Sequence, residues 1–108
     1  MKKIILGITE KVRVNGVVVK AKIDTGADGN SICKSLIEKL NLVPTGNRKQ
    51  VKSSHGTSLR EIYKAQLEIK GKRFITSFNV IDRNHLKYSV LIGKNTLKNH
   101  DFLVDPSK

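Results

Sequence analysis

Tryptophan is absent from this 108-residue chain, cysteine and methionine occur once each, proline twice, and its large aromatic side chains are three Phe and two Tyr. The lone Cys33 excludes an internal disulfide and agrees with a reducing, cytoplasmic setting. So few rings also count against a module that holds RNA by base stacking, which interleaves aromatic with basic side chains. Long apolar runs are missing too. The first, Ile4 to Ile8, contains Gly7 and is followed by Glu10, Lys11 and Arg13, so it reads as a first strand rather than a secretory leader. No segment approaches the roughly 18 apolar residues of a membrane span, and no membrane partner is expected.

Acidic residues are scarce: 9 against 21 Lys plus Arg, a formal net charge of +12. Such a field speeds encounter with polyanions, whether nucleic acid or an acidic polypeptide, and equally describes a solvated basic surface. Charge by itself names a class of partner and no more.

What is present is alternation. The length fits one domain, residues 1–108. Val12, Val14, then Asn15-Gly16, then Val17 to Val19, Ala21 and Ile23 predict two strands joined by an Asn-Gly hairpin turn, the second ending on Asp24. A second hairpin turns at Lys70-Gly71-Lys72. "VKSSHGTSLREI" reads as two extended arms around an exposed Ser-Ser-His-Gly tip, and "YSVLIG" as a buried strand stopped by Gly93. Between these, Ile32, Leu36, Ile37 and Leu40 fall at helical spacing, so "NSICKSLIEKLNL" predicts a short helix capped by Asn30 or Ser31 and stopped at Asn41, with "VPTGNRKQ" as a loop after it. "KNTLKNH" predicts a final short helix. The expected class is all-β with two short helices.

"KIDTGADGNSI" is the segment that suggests chemistry. A carboxylate that activates water against a peptide carbonyl needs a second group in the opposite proton state, and two adjacent carboxylates sharing one proton supply both. Asp24 alone is followed by Thr-Gly; Asp28, Asp82, Asp101 and Asp105 are not. A dyad therefore requires two chains, and a two-fold homodimer would bring Asp24 against its mate on the axis. There Thr25 would hydrogen-bond across the axis, and Gly26 would let the backbone approach the carboxylates.

"IDTGADGNSI" followed by "LNL", and "VLIGKNTL" further on, resemble the two signature segments of retropepsin-like aspartic peptidases, over nearly the whole chain. Within that group, "VKSSHG", "FNVIDRNHLKYSVLIGKNTL" and "FLVDPSK" look most like a bacterial and archaeal family long labelled "ATP-dependent zinc proteases". The resemblance implies a dimerising retropepsin-like acid protease fold, a single-lobe β-barrel with short helices. It makes Asp24 catalytic, with Thr25, Gly26 and Ala27 as its supporting loop. Asp28 and a flap of Ser53, Ser54, His55 and Gly56 would bind substrate, and Ile92, Gly93 and Lys94 would form the second motif packed behind the active-site loop. That bacterial family usually carries a basic residue where this chain has Asp28. Viral members carry an acidic one that pairs with the basic residue after the second-motif glycine, an arrangement Asp28 and Lys94 would fit.

Despite the family label, no metal or other cofactor is expected. His55, His85 and His100 are scattered, with no HExxH and no GxxxxGK[ST] loop. The sequence thus predicts a homodimeric aspartic endopeptidase acting on peptide or protein substrates, with acidic, glutamate-rich polypeptides as the suggested class. The competing reading is a catalytically silent dimerisation or polyanion-binding module, of which a nucleic-acid binder is the less favoured form.

Overall fold

The computed structural model describes residues 3–54, 56–82 and 87–108, without the side chain of Ser53. His55 and His85 lie outside the described residues.

The strands are β1 (Ile4–Leu6), β2 (Thr9–Val14), β3 (Val17–Asp24), β4 (Asn30–Cys33), β5 (Val43–Ser53), β6 (Gly56–Ile69), β7 (Lys72–Ile81), β8 (Val90–Gly93) and β9 (Phe102–Val104), with one α-helix, α1 (Lys94–Asn99). The order β2-β3-β8-β4-β7-β6 closes through a β2–β6 pairing into a six-stranded barrel, and β5 continues the sheet beyond β6. Separately, β1 and β9 pair in parallel, Ile5 level with Leu103. Inward positions follow the pleat: Val12 and Val14, Ala21 and Ile23, Ala65, Leu67 and Ile69, and Val90 and Ile92 bury around Phe78. Among the described residues no helix is long and apolar enough to cross a membrane.

Both predicted hairpins form. Asn15 and Gly16 have φ of 49° and 84°, Lys70 and Gly71 of 50° and 81°, the double positive φ of a turn whose twist matches its strands. Asn15 also donates through Nδ2 to the Leu40 carbonyl at 2.7 Å and accepts the Gln66 N–H at 2.8 Å, which ties three segments together. The tip at Lys70 is likewise engaged with the protein: Lys70 pairs with Glu10 at 3.2 Å, and Arg73 with Glu68 at 3.2 Å.

Two expectations are overturned. The stretch from Asn30 is a strand, β4, and only Lys34–Leu36 forms a single 3-10 turn. All four β4 residues are buried, and β7 and β8 pair with its two edges; with no exposed face there is no alternation to read. Cys33 is accordingly a core residue of a strand. "VPTGNRKQ" belongs to β5, its register with β6 shifting between Pro44 and Arg48, where Gly46 takes φ 80°.

Glu10 fixes the β1–β2 junction by accepting the Gly7 N–H at 2.7 Å. Burial works to raise its carboxyl pKa, but the Gly7 N–H and the Lys70 ammonium outweigh burial and hold it below the ordinary carboxylate value. A depressed folded-state pKa contributes stability that is present above the unfolded value and is lost as pH falls through the folded one. In chemical denaturation across pH, wild type should therefore exceed Glu10→Gln in stability most above about pH 4.5, the gap closing as the solution is acidified further. A gap independent of pH would remove the role assigned to this carboxylate.

Candidate active site

β3 delivers Asp24 to the barrel surface beside β8, which runs parallel to it with Asp24 level with Gly93. The chain then turns sharply. The Gly26 N–H donates to Asp24 Oδ1 at 3.0 Å, and the Ala27 N–H to the Asp24 carbonyl at 3.3 Å. No other hydrogen bond or ion pair reaches the Asp24 carboxylate among the described residues, so one oxygen is held and the other is open to a ligand.

The loop from Thr25 to Gly29 is clamped from behind. Lys94 and Asn95, opening α1, donate their N–H groups to the carbonyls of Ala27 and Asp28 at 2.7 and 2.9 Å. Gly93 lies against the Gly29 backbone so closely that a Cβ there would meet the Gly29 carbonyl carbon at 2.6 Å and its nitrogen at 2.9 Å; only glycine fits. Asn30, with Ser31 one of two candidate helix caps in the sequence, caps no helix: it accepts the buried Gly93 N–H through Oδ1 at 3.0 Å and donates from Nδ2 to Thr76 Oγ1 and the Ser77 carbonyl, both at 3.3 Å. Lys94 Nζ also reaches Asp28 Oδ1 at 3.1 Å, the pairing anticipated from the viral pattern. Both side chains are well exposed, so this pair orients Asp28 and adds little stability.

A second polar layer went unread. Asn79 of β7 donates to the Asn30 carbonyl at 2.7 Å, and its Oδ1 accepts from Ser31 at 2.9 Å and from Arg60 Nη1 at 2.8 Å. The signal was present in "FNVI": an Asn inside an apolar strand must have buried partners to be tolerated.

Asp24, Gly26, Ala27 and Asp28 open onto a cavity of about 620 Å³. The β5–β6 hairpin forms its other wall, with Lys49, Lys52, Ser54, Thr57 and Arg60. Of the expected flap, Ser54 therefore shares a cavity with Asp24. Ser53 and Gly56 are register partners at the hairpin end, Gly56 with φ 101°. Thr25 lies exposed on the loop, and Ile92 is buried in β8.

The family profile described as "gag-polyprotein putative aspartyl protease" matches residues 10–99. The chain belongs to that retropepsin-like family. It is 28% identical over 100 residues to mouse (Mus musculus) "Protein DDI1 homolog 2", an alignment covering 89% of this chain and 25% of the relative. The chain thus spans about a quarter of the length of the curated relatives it matches. Among solved structures, a Legionella pneumophila protein of unknown function superposes with a TM-score of 0.74 at 19% identity, covering 99% of this chain and 96% of its own. EIAV protease complexed with the inhibitor HBY-793 gives 0.69 at 18%, covering 84% and 85%. At these identities the likeness is one of fold, and the fold is the all-β retropepsin-like one.

Replacing Asn30 by Ala would leave the buried Gly93 N–H without its acceptor, at a cost of about 1–3 kcal/mol. Denaturation should register that loss, and hydrogen exchange should show faster exchange at the Gly93 amide; an unaltered rate there would break the link between Asn30 and the clamp.

Proposed function

We propose that this chain is an aspartic endopeptidase that works as a homodimer, one Asp24 from each protomer flanking a water. The observation that carries this reading is the setting of the Asp24 side chain: pinned through one oxygen by Gly26, without an ion-pair partner among the described residues, and facing a cavity of about 620 Å³. In the dimer, the ionised Asp24 takes a proton from the water as its oxygen attacks the peptide carbonyl. The protonated partner gives its proton to the carbonyl oxygen, and collapse of the tetrahedral species sends a proton to the leaving amine. The titration belongs to the pair rather than to either carboxylate.

Thr25, Gly26 and Ala27 would form the loop that aims the carboxylate, and Gly93 with Ile92 and Lys94 the clamp behind it. Asp28 and residues 53–56 would contact the substrate backbone. An acidic substrate is supported by the cations of the cavity wall, Lys49, Lys52 and Arg60, set against an Asp28 already paired with Lys94. The buried Cys33, the single cysteine of the chain, suits a cytoplasmic setting. Within the retropepsin-like group, the segments "VKSSHG" and "FLVDPSK" support a place beside the bacterial and archaeal family named above.

Wild type and Asp24→Asn, incubated with a mixed peptide library from acid to neutral pH, should differ by at least about 10²-fold in cleavage. Glu-rich members should be cut preferentially, and sedimentation should find both proteins dimeric. Folded dimers in which neither protein cuts would instead identify a silent scaffold.

A further inference from the structure

Lys20 and Lys22 occupy the alternate positions before Asp24 on β3, so all three side chains leave the outer face of the barrel. On that face Lys22 is level with Leu91, a wall residue of the cavity, and Lys20 is level with Lys11 of β2. The ammonium groups of Lys20 and Lys87 lie 5.9 and 5.7 Å from the centre of the Tyr88 ring. A track of four cations thus begins two residues from Asp24 and runs away from the cleft.

Directly opposed like charges such as Lys11 and Lys20 destabilise a sheet. Five cations of the barrel do have carboxylate partners: Arg13 and Arg73 share Glu68, Lys70 has Glu10, Lys34 has Asp82 and Lys94 has Asp28. Among the described residues none of the four track lysines has a carboxylate within 4.0 Å. The residues outside that set, Met1, Lys2, His55 and 83–86, contain no Asp or Glu. The repulsion therefore has no partner within the chain.

We propose that Lys11, Lys20, Lys22 and Lys87 form an exosite for an acidic polypeptide segment that flanks the residues held in the cleft. In identifying the segment with a substrate this rests on the peptidase reading; the anion site itself does not. Alternate residues of β3 are about 7 Å apart, the same step as alternate side chains of an extended peptide. Lys22 and Lys20 would thus meet carboxylates spaced two residues apart. A single-stranded nucleic acid fits less well, because the track holds a single aromatic ring, Tyr88, already approached by two cations, where successive bases would need several rings to stack on.

The test uses Asp24→Asn protein, which separates binding from cleavage, and a labelled decaglutamate peptide beside its decaglutamine counterpart. Lys11→Gln/Lys20→Gln/Lys22→Gln should weaken decaglutamate binding about tenfold at low salt, whereas Lys3→Gln/Lys39→Gln/Lys98→Gln, with the same net charge, should stay within about twofold. Equal losses in the two triple variants would reduce the effect to net charge and overturn the exosite. So would a loss confined to decauridylate with decaglutamate binding intact. In the Asp24 protein the track variant should raise KM for a glutamate-extended peptide while kcat holds. If nothing is cleaved but the binding difference persists, the peptidase reading falls and the exosite stands.

Discussion

Backbone presses on backbone where Gly93 meets Gly29, and the arrangement of the site depends on that approach. It allows β8 to lie alongside β3 with Gly93 level with Asp24, and it places the first N–H groups of α1 on the carbonyls of Ala27 and Asp28. A contact this close buries polar backbone, and the Gly93 N–H would be left orphaned without Asn30. Asn30 is held in turn by β7, through Thr76, Ser77 and Asn79. The direction of one carboxylate is thus set by strands distant in sequence, converging through amides rather than through bulk apolar packing.

The same dependence explains what could be read in advance. Each hairpin follows from local chemistry, an Asn-Gly or Lys-Gly pair between alternating residues, and so does Asp24 at a strand end. Its clamp partner Gly93 was legible from an apolar strand stopped by glycine and from resemblance to a known motif. β4 was not, because a four-residue strand buried at every position shows no period of two, and Ile32, Leu36, Ile37 and Leu40 fit a helix equally well. Nor were Asn79 and Arg60, whose roles exist only once β4, β6 and β7 are adjacent. The opposition of Lys11 and Lys20 is a different case. A two-residue turn at Asn15-Gly16 fixes Val14 against Val17, and the register then puts Lys11 against Lys20 by counting. That opposition is implicit in the sequence, although net charge alone does not reveal it.

Charge placement also bears on assembly. A chain of net charge +12 pays repulsion when it meets its own copy, most severely where cations face each other across the axis. The segment that would meet its mate in the proposed dimer, Thr25 to Ala27, is uncharged, and the neighbouring Asp28 is already neutralised by Lys94. The lysines of the track stand to the side, on β2, β3 and the approach to β8. The Asp24 carboxylates would then face each other across an otherwise uncharged loop contact, and one shared proton removes their repulsion. An arrangement that keeps the track lysines lateral serves both ends: it leaves the contact between the Asp24 loops uncharged, and it extends the positive field of the cavity wall along the route by which an acidic chain would enter.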